Sequence, residues 1–486
     1  MNYFLAVDIG TTSVKAIAFD EKGMIINNRS IGYKMQHPQP AYSEQHVTQI
    51  FDAVILSINQ ITEALLPANP RFVSFSSMMH SLIAVDKKGE PLTNCIIWAD
   101  NRAASIAAGV RSTAEGQRFY HATGVPIHAM SPFCKLLWMK EHEPQVFQNA
   151  YKFIGIKEYI FLKLFDVYVV DTGIASATGL LNRSSLQWDT AVLEMLNLPE
   201  EKLSAIVAVE SIFYYEQKSS SSPLLNLPDK TPFVIGGSDG ALANLGAGST
   251  ANNSVSATIG TSAAIRVLSN KPVTEEDMSV FCYHAIDDLY IIGGASNNGA
   301  IVLQWLRESL LQTSESYAEL FSLAESVSAG SNDLFLIPYI LGERAPVWNS
   351  EARGIYFGLT INHTKAHLVR AAMEGVIYNL YSIGKNLEKR NSMKEIYAAG
   401  GFAQSTLWLQ ILADVFNFKI LVSGSSESSA LGAVMVGIKA LHLPNDIKPV
   451  IVSEHIPNTA NHEIYQKGFQ KFKRIYALMK SEFGSG

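Results

Sequence analysis

One short pattern occurs twice, about half a chain apart, and it limits the folds open to this sequence. Leu5 to Lys15 reads LAVDIGTTSVK: Leu5, Ala6 and Val7 make an apolar strand, Asp8 ends it, and Gly10, Thr11 and Thr12 turn the chain into a second strand, Val14 to Phe19. Ser254 to Val267 reads SVSATIGTSAAIRV, another apolar strand entering a turn at Ile259, Gly260, Thr261 and Ser262. Each copy opens a long stretch of alternating strands and helices, so the expectation is a duplicated α/β fold. Two halves with mixed sheets flanked by helices would face each other across a cleft. Such turns can hold phosphate through backbone N–H groups and hydroxyls, with Lys15 countering charge, while Asp8 suits a divalent cation. Thr258 stands where the first copy has Asp8, so one side would bind metal and the other only clamp. Either copy alone reads equally well as a hairpin with a glycine corner.

A length of 486 residues exceeds what one core supports, and two domains are expected, 1–247 and 248–486. Mean hydropathy is only slightly positive at +0.11, and no apolar run has membrane-spanning length. Met1 to Val7 carries no basic region followed by a long apolar one, so no secretory signal is read there. Cys95, Cys134 and Cys282 form neither a metal-ligand spacing nor an even disulfide set, which fits a reducing cytoplasm. A net charge of −6 without a basic stripe argues against nucleic-acid binding. A homodimer is compatible with the sequence.

In the first half, Glu21 to Gly23 and Asp86 to Gly89 read as turns between antiparallel strands. Between them Val47, Ile50, Phe51, Val54, Ile58, Ile61 and Leu65 recur at helical spacing, and Pro67 stops that helix. Phe72 to Phe75 is a buried strand that exits into Ser76, Ser77, Met78, Met79 and His80, where α/β proteins place ligand contacts. A hydrogen-bonded core histidine is the more ordinary reading of His80 alone. Ile96 to Arg102, IIWADNR, is another strand exit, offering Trp98, Asp100 and Arg102. An aromatic platform beside a carboxylate and a guanidinium suits a polyol or sugar acid; a surface ion pair with a buried tryptophan is the alternative. Met130 to His142 is an amphipathic helix starting near Pro132, and Ser219 to Ser222 a solvated loop.

Thr231 to Gly240, TPFVIGGSDG, repeats the strand, glycines and single carboxylate, placing Asp239 before a candidate linker, Leu245 to Thr250, with Gly246 and Gly248 as hinges. A carboxylate facing the cleft there is a candidate base. An ordinary aspartate, of pKa about 4, is too weak to ionise an alcohol in advance. In a loose phosphoryl-transfer transition state the hydroxyl proton leaves late, and a weak base that orients the nucleophile suffices. Capping of a helix from Ala241 is the competing role. In the second half, Gly293 to Gly299 leads into a helix with Gln304, and the strand Ile396 to Ala399 ends in Gly400 and Gly401 before Ser405 opens a helix. Glycines there let an adenine and ribose lie against bare backbone. Dinucleotide, Walker A and protein-kinase motifs are absent, so ATP would bind through the paired turns.

From Tyr3 to Ala440 the chain resembles the FGGY family of carbohydrate kinases, which has the actin-like, Hsp70-like (ribonuclease H-like) duplicated fold. The resemblance rests on Asp8 to Lys15, Gly260 to Ser262, Ala399 to Gln410, Met130 to His142, and GIYFGLTINHTKAHLVRAAME from Gly354 to Glu374. It implies ATP and Mg2+, with Asp239 as catalytic base and Asp8 and Asp239 at the metal. It further implies Gly10, Thr11, Thr12, Lys15, Gly260, Thr261 and Ser262 at the phosphates, and Gln304, Gly401 and Ser405 near the nucleoside. Met79 and His80 would contact the sugar with Trp98, Asp100 and Arg102. The sequence departs from the family where flanking glycines become Ser77 or Met78 and Ser81, and where Phe402 replaces a third glycine. Within the family the similarity is greatest to gluconokinases, implying transfer to the terminal hydroxyl of D-gluconate, with Arg102 or Arg344 as donor for its carboxylate. Xylulokinase is the alternative acceptor class, and an actin-like or Hsp70-like ATPase acting on a protein partner the alternative of another kind.

Overall fold

The computed structural model describes residues 2–216, 225–249, 255–388, 395–424, 427–448 and 450–483, so Ser219 to Ser222 and the last residue of the expected linker lie outside the described residues. The first half builds a mixed sheet from β1 (Tyr3–Ile9), β2 (Ser13–Phe19), β3 (Ile25–Gly32), β4 (Pro70–Ser77), β5 (Ile212–Tyr214) and β6 (Pro232–Ser238), in the order β5-β6-β4-β1-β2-β3. β1 runs antiparallel to β2 and parallel to β4, and β4 runs parallel to β6. The helix α1 (Val47–Ala64) connects β3 to β4, burying Ile50, Val54, Ile58 and Ile61 on the face the spacing anticipates.

The second half repeats this plan with β7 (Val255–Ile259), β8 (Ala263–Ser269), β9 (Phe281–Ile286), β10 (Leu289–Ser296), β11 (Glu395–Ala399), β12 (Lys419–Ser423) and β13 (Ile451–His455), in the order β9-β10-β8-β7-β11-β12-β13. Its central run β12-β11-β7-β8-β10 copies β6-β4-β1-β2-β3 in order and direction, antiparallel at β7/β8 and parallel at β7/β11 and β11/β12. The duplication read from two turns therefore extends through five strands. The two turns differ by one residue. Ile9 pairs with Val14, whereas Ile259 pairs with Ala263.

Four further helices matter for the site: α2 (Pro132–His142), α3 (Asp239–Gly246), α4 (Lys365–Glu388), which takes the place of α1 in the second half, and α5 (Thr406–Phe416). A last one, α6 (Ser428–Ala440), joins the halves. It packs on α3 with backbones in contact: a Cβ on Gly246 would lie 2.0 Å from the Ser428 oxygen, and one on Gly432 2.0 Å from the Leu242 oxygen. α6 also covers the first sheet, where Ala430, Val434 and Ile438 share a core with Phe4, Ala6, Phe19 and Phe72. Gly246 thus serves helix packing, and of the two expected hinge glycines only Gly248, with φ 96°, lies outside a helix. Among the described residues no helix is long and apolar enough to cross a membrane.

Candidate active site

Asp239 reaches the site because β6 is irregular just before it. The register slips between Val234 and Gly237, and Gly236 takes φ 66° where a Cβ would lie 1.7 Å from the Phe75 oxygen. Only glycine fits that bulge. Ser238 caps α3, accepting from the Ala241 N–H, so the helix starts at Asp239 rather than at Ala241, and the carboxylate is not its cap. Asp239 instead lines a cavity of about 170 Å³ bounded by Thr11 of the first turn and by Ser262 and Ala263 of the second. Met79, His80, Trp98, Arg266, Tyr283 and Arg344 form much of the remaining wall. The two turns and the carboxylate of TPFVIGGSDG therefore meet in one cavity.

Burial raises the Asp239 pKa to about 6, the Asp8 carboxylate pushes the same way, and the Arg266 charge opposes both. Asp8 accepts a 3.0 Å hydrogen bond at Oδ2 from the Ser429 hydroxyl, while its Oδ1 is buried without a partner. In each turn the glycine amide closes the hairpin, Gly10 to the Ser13 oxygen at 3.0 Å and Gly260 to the Ser262 oxygen at 2.9 Å. What remains for a ligand is the stretch after each glycine. Tyr33 and Gln45 brace the first turn by donating to the Gly10 and Thr11 oxygens, and Trp98 donates to the Thr11 hydroxyl at 2.9 Å.

His80 has the left-handed backbone φ 68° and donates from Nδ1 to the Ala177 oxygen at 2.8 Å. Burial, reinforced by the Lys135 charge, lowers its pKa to about 3, so the ring is neutral and Nε2 remains an acceptor. His80 is buried and hydrogen-bonded, and it lines the cavity. Lys135 of α2 lies behind it, donating to the His80, Ile96 and Ile97 oxygens at 2.5, 3.2 and 2.9 Å. Three carbonyls around one ammonium tie both strand exits together, although burial lowers the lysine pKa to about 7. As sequence, α2 offers only amphipathic spacing, and the role of its one buried lysine passes unnoticed.

Several expected site residues are placed elsewhere. Asp100 and Arg102 do not line the cavity: Arg102 Nη2 pairs with Asp100 at 2.8 Å and Glu44 at 2.5 Å, and its guanidinium lies 3.8 Å over the Tyr42 ring. This is an ion pair, as the alternative held, but a buried one, with side-chain exposures of 3% for Arg102 and 0% for Asp100. The β-strand before it is only Cys95–Ile96, because its partner is the two-residue Glu44–Gln45. Lys15 does not stand free at the first turn, since Glu427 takes its ammonium through both carboxylate oxygens at 2.8 and 2.9 Å. Arg266 was not among the expected residues; its signal is a lone charge in the otherwise apolar strand AAIRVLS.

The second half carries the segments expected beside a nucleoside, outside this cavity. Gly400, φ 100°, brings its turn so close to β7 that a Cβ would lie 2.5 Å from the Ile259 oxygen, whereas a Cβ on Gly260 or Gly401 would meet only open space. Gln304 is exposed and donates to Glu308 at 3.1 Å, and Ser405 caps α5 by accepting from the Trp408 N–H.

Residues 3–246 match the N-terminal domain of the FGGY family of carbohydrate kinases, and residues 255–441 match its C-terminal domain. The chain belongs to the FGGY family of carbohydrate kinases. Its relatives include the gluconokinase of Bacillus licheniformis, 41% identical over 98% of this chain and 94% of the relative. Two solved structures from Lactobacillus acidophilus, a gluconate kinase and a ligand-bound xylulose kinase, each superpose with a TM-score of 0.95 at 35% identity. The first covers 99% of both chains, the second 100% of this chain and 99% of its own. FGGY membership makes the protein an ATP-dependent kinase of a small sugar or sugar acid and decides against an ATPase acting on a protein partner.

Proposed function

We propose that this FGGY kinase is a gluconokinase, moving the γ-phosphoryl group of ATP onto the terminal hydroxyl of D-gluconate. The observation that carries the chemistry is that Asp239 shares one cavity with Thr11 and Ser262, the faces of both turns. The acceptor follows from the 41% identity to a gluconokinase across nearly the whole chain. Asp239, with its raised pKa, orients the acceptor hydroxyl and takes its proton as the phosphoryl group transfers. Thr11, Thr12, Thr261 and Ser262 hold the phosphates, Met79, His80 and Trp98 the acceptor, and Gln304, Gly401 and Ser405 border the nucleoside. A domain boundary near residue 247 separates the halves that close on them, excluding water. Three buried, unpaired cysteines suit a cytoplasmic enzyme.

The residues present fit Mg2+. Asp8 offers a buried carboxylate oxygen without a partner, and its charge acts on Asp239. That matches an ion held by one or two carboxylates, here Asp8 and Asp239, together with substrate phosphates. Bound there, it would neutralise charge on the phosphates. The xylulose reading draws on the equally good superposition with a xylulose kinase. A substrate panel with Mg-ATP, coupled to ADP release, decides between them: gluconate should be the fastest acceptor, and a protein that turns over D-xylulose far faster overturns the assignment.

A further inference from the structure

Two guanidinium groups face the acceptor cavity, and neither forms an ion pair among the described residues. Arg344 lies 4.7 Å over the Trp98 ring and donates from Nη2 to the Ser296 oxygen at 3.2 Å, but its Nε is buried without a partner. The neighbouring Glu343 favours its charge from a distance but forms no ion pair with the guanidinium, its oxygens being taken by Ser296 Oγ at 2.6 Å, the Asn297 N–H at 2.9 Å and Asn379 Nδ2 at 2.9 Å. The Arg266 side chain makes no hydrogen bond among the described residues, its Nε is likewise buried and unpartnered, and that atom would lie 3.2 Å from a Cβ on Gly240. Asp239 is the one carboxylate in the wall, against two arginines.

Buried cationic donors left idle are costly, and they persist where a ligand completes them. Sugar hydroxyls would accept their hydrogen bonds but add no negative charge to that of Asp239, which alone in the wall faces the two guanidinium groups. A carboxylate does both, and its two oxygens match the guanidinium fork. Ser262, in the turn just before β8, and Ala264 and Arg266 within it all line the cavity, and at about 3.4 Å per residue Arg266 sits roughly 14 Å from Ser262 along the chain. Arg266, the middle residue of β8, thus faces the cavity apart from the second turn. Arg102, spent on Asp100 and Glu44, is not available for this role.

We propose that Arg266 and Arg344 form a carboxylate clamp in the acceptor site, and that Arg266 is the residue that selects an aldonate over a neutral polyol or ketose. This rests on the reading of gluconate as the acceptor. The test compares D-gluconate with D-glucitol, which differ only by carboxylate against hydroxymethyl, using calorimetric binding in the presence of a non-hydrolysable ATP analogue and steady-state kinetics with Mg-ATP. The wild type should prefer gluconate by roughly 10–100-fold, the worth of charge-assisted hydrogen bonds. Arg266→Met should bring that preference to within about threefold, chiefly through KM for gluconate, while Arg266→Lys keeps part of it. Should Arg266→Met fail to fold, by the loss of its melting transition, Arg266→Gln and Arg344→Met carry the same comparison. A preference unchanged in the variants overturns the clamp alone. A loss of kcat on both ligands with a displaced pH profile also overturns it, making Arg266 a positioning residue for Asp239. A wild type that ignores gluconate and phosphorylates xylulose overturns the acceptor assignment and the clamp with it.

Discussion

Asp239 sits among opposing influences: burial and Asp8 favour its neutral form, while Arg266 and Lys157 favour the charged one. The outcome, a pKa of about 6, keeps it ionised at neutral pH yet more basic than an ordinary carboxylate. Since the protonated form cannot accept the hydroxyl proton, kcat/KM for the sugar should fall tenfold per unit as the pH drops below about 6 and level off above it. His80, neutral down to about pH 3, contributes nothing to that limb. A pH profile on purified protein checks this, and a flat profile between pH 5 and 7 would remove Asp239 as the base. Asp239→Asn keeps the size of the side chain but cannot take a proton. It should lower kcat by about 10²–10⁴-fold with nucleotide affinity nearly unchanged, as read by turnover beside calorimetric ATP binding.

At the level of elements, the contact between α3 and α6 depends on Gly246 and Gly432, where helix backbones touch. Gly432→Ala inserts a methyl group against the Leu242 oxygen. The helices must part, and chemical denaturation should show a loss of roughly 1–3 kcal/mol. The elements themselves were largely legible in the sequence. The helix from Val47 follows from its apolar spacing, the strand before Asp239 from its apolar run, though not its bulge, and the paired sheets from two Ile-Gly-Thr turns. Where reading failed, the deciding partner came from far along the chain. In IIWADNR Trp98 does line the cavity, but Arg102 and Asp100 do not, because Glu44, 58 residues before Arg102, shares its guanidinium with Asp100. Lys15 looks free for phosphate until Glu427, 412 residues away, reaches it. Arg266 shows locally only as a lone charge in the strand AAIRVLS, and its unpartnered Nε emerges only in the fold.

The whole molecule ties its first turn to its second half through Lys15 and Asp8. Lys15 is held by Glu427 and Asp8 by Ser429, both partners lying at the start of α6, the helix that bridges the halves. The Lys15 side chain is 39% exposed, so the ion pair contributes little to stability, on the order of 0–1 kcal/mol. An exchange of Glu427 for a nucleotide phosphate is therefore cheap, and it would couple arrival of ATP to a rearrangement at the junction of the lobes. Glu427→Gln removes the competing charge without emptying the space. The melting temperature should then barely change, while ATP affinity rises by at most about fivefold, the equivalent of ~1 kcal/mol. Thermal denaturation and KM for ATP read the two effects separately. If ATP affinity fell instead, Glu427 would be holding Lys15 in place for the phosphates rather than competing with them.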